Sequence, residues 1–372
     1  MAYGNVNVDT VTTSTAGGIL GAGNASIMKN RIINGAMVID QRNAGASITP
    51  TADGTYSVDR WCIRLTQASK ISMQQNAGSV TTPAGFVNYL GLTSTSSYSA
   101  TSTDIFTLEQ VIEGYNMSDF AWGTANAKNV TLSFWVYSSK TGTFGGSLFG
   151  NPANYSYPFT YSIPVANTWT QISVSIAGPT GGTGWTQTTG AGIYLNFDLG
   201  SGSTRLGTSS SWASAQYWGA TGCQSIVATN GATFYITGVQ LEVGSSATGF
   251  EYRLYNQELS ACQRYYVQFL GNNSYENLAG GMSSTNQNGY AVVALPVTMR
   301  SNPTLTYSTV SSTLRWTELA NSFNGTAIGI DQSSTKTPQI YITVASGMTS
   351  YRAGFITANG TTSAYVGFSA EL

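Results

Sequence analysis

The chain contains no histidine. That absence removes Ser-His-Asp and Cys-His catalysis, and most zinc chemistry with them. Charge is the second scarcity, with 15 Lys and Arg against 16 Asp and Glu in 372 residues. A formal net charge of −1 offers no basic field to a nucleic-acid backbone, which requires clustered Lys and Arg. No nucleic-acid partner is expected. Three cysteines, Cys62, Cys223 and Cys262, are too few and too scattered for a disulfide framework, and none lies in a CxxC pair. Free thiols point to assembly in a reducing cytoplasm. The opening MAYGNVNVDTVTTSTAGG lacks the basic start and apolar core of a signal peptide. No apolar run approaches the ~20 residues that span a bilayer. We expect a soluble chain with no membrane insertion, no metal and no cofactor.

What fills the chain instead is Gly (42), Tyr (22) and an excess of Ser, Thr and Asn, the composition of fibrous and secreted β proteins. Short runs of β-branched and aromatic residues recur: RIINGAMVID (31–40), YSVDRWCIRL (56–65), NVTLSFWVYS (129–138), AGIYLNFDL (191–199) and ATFYITGVQLEV (232–243). In TQISVSI, Ile172, Val174 and Ile176 alternate with Gln171, Ser173 and Ser175, the period-two signature of a strand. Asn-Gly pairs at 34–35, 230–231, 288–289, 324–325 and 359–360 favour tight turns. Many short strands with such turns read as a sandwich or jelly roll. The predicted fold is all-β: a jelly-roll β-sandwich, a short helix and a second, smaller β-sandwich domain, preceded by an extended N-terminal arm. The boundaries expected are 1–30 for the arm, 31–253 for the jelly roll, 254–269 for a helical linker and 270–372 for the C-terminal β domain. The patch NQELSACQRYYVQF (256–269) supplies the helix, with Asn256 as N-cap.

FTLEQVIEG (106–114) places Glu109 and Glu113 four residues apart. On a strand they stand about 13 Å apart, beyond the roughly 5–9.5 Å between glycosidase carboxyls. Read as a strand, the stretch is not a catalytic pair, and no catalytic residue is assigned. Sugar recognition without catalysis needs flat aromatic faces and neutral hydrogen-bonding groups. Trp185 in GGTGWTQTTG, and Trp212, Tyr217 and Trp218 in SSSWASAQYWGAT, lie in Gly/Ser/Thr-rich loops, and Trp122 sits between two expected strands. These five rings either face solvent and stack on glycan, or cap the sandwich ends and pack between protomers. Trp61, Trp135 and Trp169 lie within or beside strands and are expected in the core. Asp59 and Arg60 are expected to pair locally, and Asp198 to form a turn. The glycine patterns GILGAG and GPTGGTGW lack the lysine and helix of a phosphate loop.

The ordered series KNRIINGAMVIDQRNAG, DRW, EQVIEG, VTLSFWVYSSKTGTF, SYPFTYSIPVANTWTQ, NGATFYITGVQLEVGSSATGFEYR and ELSACQRYY resembles tailed-bacteriophage virion proteins described as tail fibre or tail-associated proteins. The resemblance covers about 24–266 and extends through LPVTMRSNPTL and the ending VGFSAEL. A looser one links the chain to jelly-roll carbohydrate-binding modules, through Asn34-Gly35, the strand Ser133-Phe134-Trp135 and YITGVQLE. Such modules often hold calcium between first- and last-strand carboxylates; here Ala36 and Thr237-Gly238 stand in those places. The resemblance implies a homotrimeric tail fibre or receptor-binding appendage, assembled in the host cytoplasm and carried on the virion. Residues 1–30 would attach it to other virion proteins, and its target would be host cell-surface polysaccharide. A head or neck fibre, or a capsid decoration protein, is the alternative; a polysaccharide depolymerase fits the missing histidines and sparse carboxylates less well.

Overall fold

The computed structural model describes residues 28–319 and 321–372, so most of the expected arm lies outside the described residues. The described residues form two compact units, each discontinuous in sequence: one of 28–38, 46–55 and 62–253, the other of 39–45, 56–61 and 254–372. All three cysteines are free.

The strands up to residue 243 are β1 (Thr55–Tyr56), β2 (Cys62–Leu65), β3 (Ile71–Gln75), β4 (Leu90–Ser94), β5 (Phe106–Glu113), β6 (Val130–Ser138), β7 (Gly142–Gly150), β8 (Tyr155–Ile163), β9 (Thr170–Ile176), β10 (Ala191–Asp198), β11 (Leu206–Gly207), β12 (Gly219–Ala220) and β13 (Thr233–Val243). They build an all-β jelly-roll sandwich from a sheet of order β1-β2-β5-β10-β7-β8 and a sheet of order β3-β4-β13-β6-β9, with a small β11-β12 pair. Alternation decides what enters the core. Along β6, Phe134 and Val136 are buried while Trp135 and Tyr137 are only half-buried. Phe134 meets Tyr161 and Phe197 edge-on at 5.0 Å, and Phe159 and Phe234 pack on Phe197, giving an aromatic interior.

Two expectations need correction in this unit. RIINGAMVID forms no strand: Asn34 and Met37 take left-handed φ values of 58°. The segment is tied to β13 instead, by Arg31 N–H to the Leu241 carbonyl and Val239 N–H to the Gly35 carbonyl, at 2.9 and 3.0 Å. Trp135 and Trp169 are not core residues. In register, Tyr235 opposes Tyr137 and Thr237 opposes Trp135. Tyr235, Tyr137 and Trp169 thereby form an aromatic group with Tyr89 on the other face of the second sheet, with Tyr137 and Tyr235 stacked at 5.3 Å.

In the second unit α1 (Tyr255–Gln263) precedes β14 (Tyr266–Leu270), β15 (Asn277–Ser283), β16 (Asn288–Val292), β17 (Thr304–Tyr307), α2 (Val310–Thr313), β18 (Leu314–Glu318), β19 (Asn321–Gln332), β20 (Gln339–Val344), β21 (Ala353–Ala358) and β22 (Tyr365–Ser369). The helix is shorter than 256–269, because YVQFL pairs with β22 as a strand. Asn256 lies inside its first turn, and the Leu254 N–H at its start donates to the Gln257 side chain at 3.4 Å. This unit is β as expected, but six strands close into a barrel, β15-β16-β20-β19-β18-β21, beside a β14-β22-β17 sheet. Trp316 is fully buried at the barrel's centre, where Gly289 and Gly354 lie so close that an added Cβ would stand 2.6 Å from its ring.

Buried charge organises the same unit. Arg60, 2% exposed, pairs with Glu371; Arg42 reaches Glu371 at 3.0 Å and Asp59 at 3.5 Å. Asp59 and Arg60 thus have distant salt-bridge partners, not the local pairing expected of neighbours. The two guanidiniums lie 3.5 and 3.6 Å over the rings of Tyr266 and Tyr265. Burial pushes the Asp59 carboxyl up to about 6, against the opposing pull of Arg42 and Gln41.

Candidate functional site

FTLEQVIE is a strand, β5, and all eight of its residues are buried. Four residues of strand separate Glu109 from Glu113 by about 13 Å, so the two do not flank one bond. Their burial comes from a second layer. Phe106, Leu108 and Ile112 point into the sandwich, leaving Thr107 and Glu109 on the opposite face. Register sets Cys62 and Asn196 beside Glu109, and Arg64 and Asp198 beside Thr107.

This face is polar and roofed. The Thr107 hydroxyl donates to Asn196 Oδ1 at 3.2 Å, and Asn196 Nδ2 reaches Ser147 Oγ at 3.4 Å. Asp198 accepts the N–H groups of Gly200 and Ser201 at 3.2 and 2.8 Å, the turn-forming role expected of it. Over these residues passes the segment 203–221. The β11-β12 pair fixes it, and a bridge between Ser156 and Ala213 ties it to β8. Gly219 lies against Asp198. Trp218 packs edge-on to Phe149 at 4.7 Å, and Phe149 stacks on Tyr194 at 4.6 Å.

Of the five predicted rings, Trp122, Trp185 and Trp212 come together, while Tyr217 and Trp218 pack against other partners; they do not form five solvent-facing platforms. Trp122 (2% exposed) and Trp185 (8%) are buried. Trp122, Trp185 and Trp212 form a T-shaped triangle with centroids 5.2 to 5.9 Å apart. Indole N–H groups are directed at backbone: Trp122 Nε1 donates to the Lys128 carbonyl at 2.9 Å and Trp212 Nε1 to the Ala177 carbonyl at 2.7 Å. The two buried rings therefore present no face to a sugar; they support Trp212. Half-buried Trp212 stacks on half-buried Tyr155 at 5.8 Å and touches Tyr157. Tyr217 is half-buried and lies against Gly207, its N–H bonded to Ser156 Oγ at 3.2 Å. Trp218 is buried.

Sequence reasoning missed the polar groups beside these rings. Gln216 Nε2 donates to Asn151 Oδ1 at 2.6 Å, joining the roof to the turn after β7. Arg64 holds Asp53 through two nitrogens at 3.0 and 2.9 Å, stands 3.6 Å from Glu109 and lies 5.9 Å over the Trp218 ring. Around that guanidinium sit two buried polar atoms without hydrogen-bond partners, Trp218 Nε1 and Glu109 Oε2. One is a donor and the other an acceptor, the complement of a hydroxyl group. Burial pushes the Glu109 carboxyl up to about 7, with Arg64 pulling the other way. Only Arg64 carries a sequence signal, as the lone charge between Cys62 and Leu65; amides in a Ser/Asn-rich chain carry none. Among the described residues no cluster of three or more His, Cys, Asp or Glu is placed to hold a metal ion.

No protein family matches this chain, and no curated relative does. Solved structures similar to it include the enzymatically active domain of tailspike protein 4 from bacteriophage CBA120, at 16% identity and TM-score 0.31, covering 58% of this chain and 22% of that one. A family 11 carbohydrate-binding module of a Clostridium thermocellum cellulosomal cellulase is similar at 12% identity and TM-score 0.28, covering 55% of this chain and 99% of that one. The xylan-binding domain of Paenibacillus barcinonensis Xyn10C is similar at 10% identity and TM-score 0.25, covering 55% of this chain and 99% of that one.

Proposed function

We propose that this chain is a noncatalytic virion protein of a tailed bacteriophage, a tail fibre or receptor-binding appendage that holds host surface glycan. One observation carries the binding half of the reading. At the end of the roofed sheet, Trp212 and Tyr155 are stacked and half-exposed beside the neutral amides Gln216 and Asn151. A pyranose offers an apolar face to such rings and hydroxyls to such amides. The virion half rests on the ordered sequence segments, from KNRIINGAMVIDQRNAG to ELSACQRYY. Several copies per particle would multiply weak contacts into useful avidity.

A cleaving enzyme has one point in its favour, the raised pKa of Glu109, which a general acid needs. Against it, Arg64 lies between Glu109 and Asp53 and binds Asp53 through two nitrogens, so this carboxylate pair closes on a guanidinium and leaves no gap for a glycosidic oxygen.

The test is adsorption. Purified protein should bind host cells saturably and compete with phage, and Trp212→Ala should reduce that binding at least tenfold while the folded spectrum is kept. Equal binding by the variant would contradict the site assignment. Antibody labelling of particles separates tail attachment from density on the head or neck. Deleting residues 2–28 should leave the fold intact and abolish incorporation into particles.

A further inference from the structure

Sheet edges are where β proteins join or are prevented from joining, because an edge strand presents unpaired N–H and C=O groups. This sandwich has four edge strands, β1 and β8 in one sheet and β3 and β9 in the other. Ile48 bridges β3 with reciprocal N–H to carbonyl bonds to Met73 at 2.9 and 2.8 Å. On the other sheet, the edge strand β1 is only two residues long, Thr55–Tyr56, a length that itself blunts an edge. β8 carries Pro158, accepts the Ser210 N–H on that residue's carbonyl at 2.9 Å, and exchanges backbone bonds with Ala213. The fourth edge is β9, Thr170–Ile176, last in the order β3-β4-β13-β6-β9.

Nothing guards β9. Its residues pair with β6 from Val130↔Ile176 to Val136↔Thr170 without a register shift, so it has no bulge. Among the described residues, Thr170–Ser175 make no hydrogen bond beyond that ladder. The sequence TQISVSI holds no charge, proline or glycine, the devices that ordinarily blunt an edge. Gln171, Ser173 and Ser175 are exposed; Thr170, Ile172 and Val174 are only half-buried.

We infer that β9 is an assembly edge, pairing antiparallel with β9 of a second copy of this chain. The occupant follows from the strand's own symmetry. Centred on Ser173, antiparallel self-pairing sets Ile172 against Val174 on one face and Gln171 against Ser175 on the other. Apolar side chains continue the inner face of the sheet, and hydroxyls and amides continue the outer one. The two five-stranded sheets become one of ten, and the free backbone groups of β9 gain partners along the strand. The other edges offer less: β1 is two residues long, and β3 and β8 already carry backbone bonds, to Ile48 and to Ser210 and Ala213. The contact is two-fold and closes on itself, so it gives even-numbered assemblies: two copies, or six where a three-fold contact also exists. This goes beyond the glycan-binding reading and does not depend on it.

Charge reversal at Ser173 tests it, since that side chain is exposed and its replacement leaves the core untouched. Native mass measurement of the full chain should give an even-numbered species. Ser173→Lys opposes two lysines across the pair and should halve the mass, as should Ser173→Glu, with circular dichroism unchanged. Mixing the two variants should restore the wild-type mass. Backbone amides of 170–176 should exchange slowly in the wild type and at least tenfold faster in either variant. A wild-type monomer, an odd-numbered assembly, a variant of unchanged mass, or a mixture that fails to reassemble would each overturn the inference.

Discussion

Replacing Glu109 with Gln should change how stability depends on pH, by an amount that follows from the burial of one carboxyl. Glu109 is fully buried, and its pKa rises from 4.5 to about 7, chiefly through desolvation, with Arg64 opposing. Below pH 4.5 folded and unfolded chains both hold the proton, and above about 7 both have released it. Between those limits the folded chain binds more protons than the unfolded one, so stability falls as pH rises. Raising a carboxyl from 4.5 to about 7 is worth roughly 3 kcal/mol, at about 1.4 kcal/mol per tenfold change in proton affinity. The amide that replaces it cannot titrate. The stability difference, Glu109→Gln minus wild type, should therefore grow by roughly 3 kcal/mol between pH 4.5 and 7.5, or roughly 6–12 °C in melting temperature for a unit of this size. Asp59 and Asp198, also raised by burial, titrate in both proteins and cancel in the difference. Denaturation followed by tryptophan fluorescence suits the assay, because six of the eight tryptophans belong to the first unit. Parallel curves for the two proteins across this range would refute the account of Glu109 as a desolvated acid.

Three further outcomes are expected. Glu371→Gln leaves Arg60 and Arg42 short of a buried anion, and should cost the second unit roughly 3–5 kcal/mol in urea unfolding; a loss below about 1 kcal/mol, the range of exposed pairs, would show the cluster to be solvated. Trp122→Ala removes the most buried corner of the aromatic triangle and should cost about 3–5 kcal/mol, whereas Trp212→Ala should cost markedly less stability while losing more glycan binding. Gly354→Ala drives a Cβ to 2.6 Å from the Trp316 ring and should destabilise the barrel by about 1–3 kcal/mol, read as faster hydrogen exchange in Gln339–Val344.

Local pattern made much of the fold legible. TQISVSI announced β9 by alternation, and FTLEQVIE sat among strands and is one. Period two says which side chains share a face, but not which face is covered. Nothing local in FTLEQVIE reveals that its polar side lies under 203–221, about 100 residues later, so the depth of Glu109 was hidden. The same gap misassigned Trp135 and Trp169: they alternate correctly with Phe134 and Thr170, yet the aromatic face belongs to the outside of its sheet. In QRYYVQF the helical pattern yielded at Tyr266 because β22, contributed by residues near the C-terminus, supplies a pairing partner. Of the candidate site, the loop that carries Trp212 was legible from its Ser-rich surroundings, but its stacking on Tyr155 was not. Nor was the support from Trp122 and Trp185, because it is formed by contacts distant in sequence.

The most direct test is to incubate the purified chain with host surface polysaccharide and follow both the bound fraction and the polymer's length. Saturable binding with unchanged chain length, lost on Trp212→Ala, is the predicted result. Shortened polysaccharide, or no binding by a folded protein, would contradict a glycan-holding role.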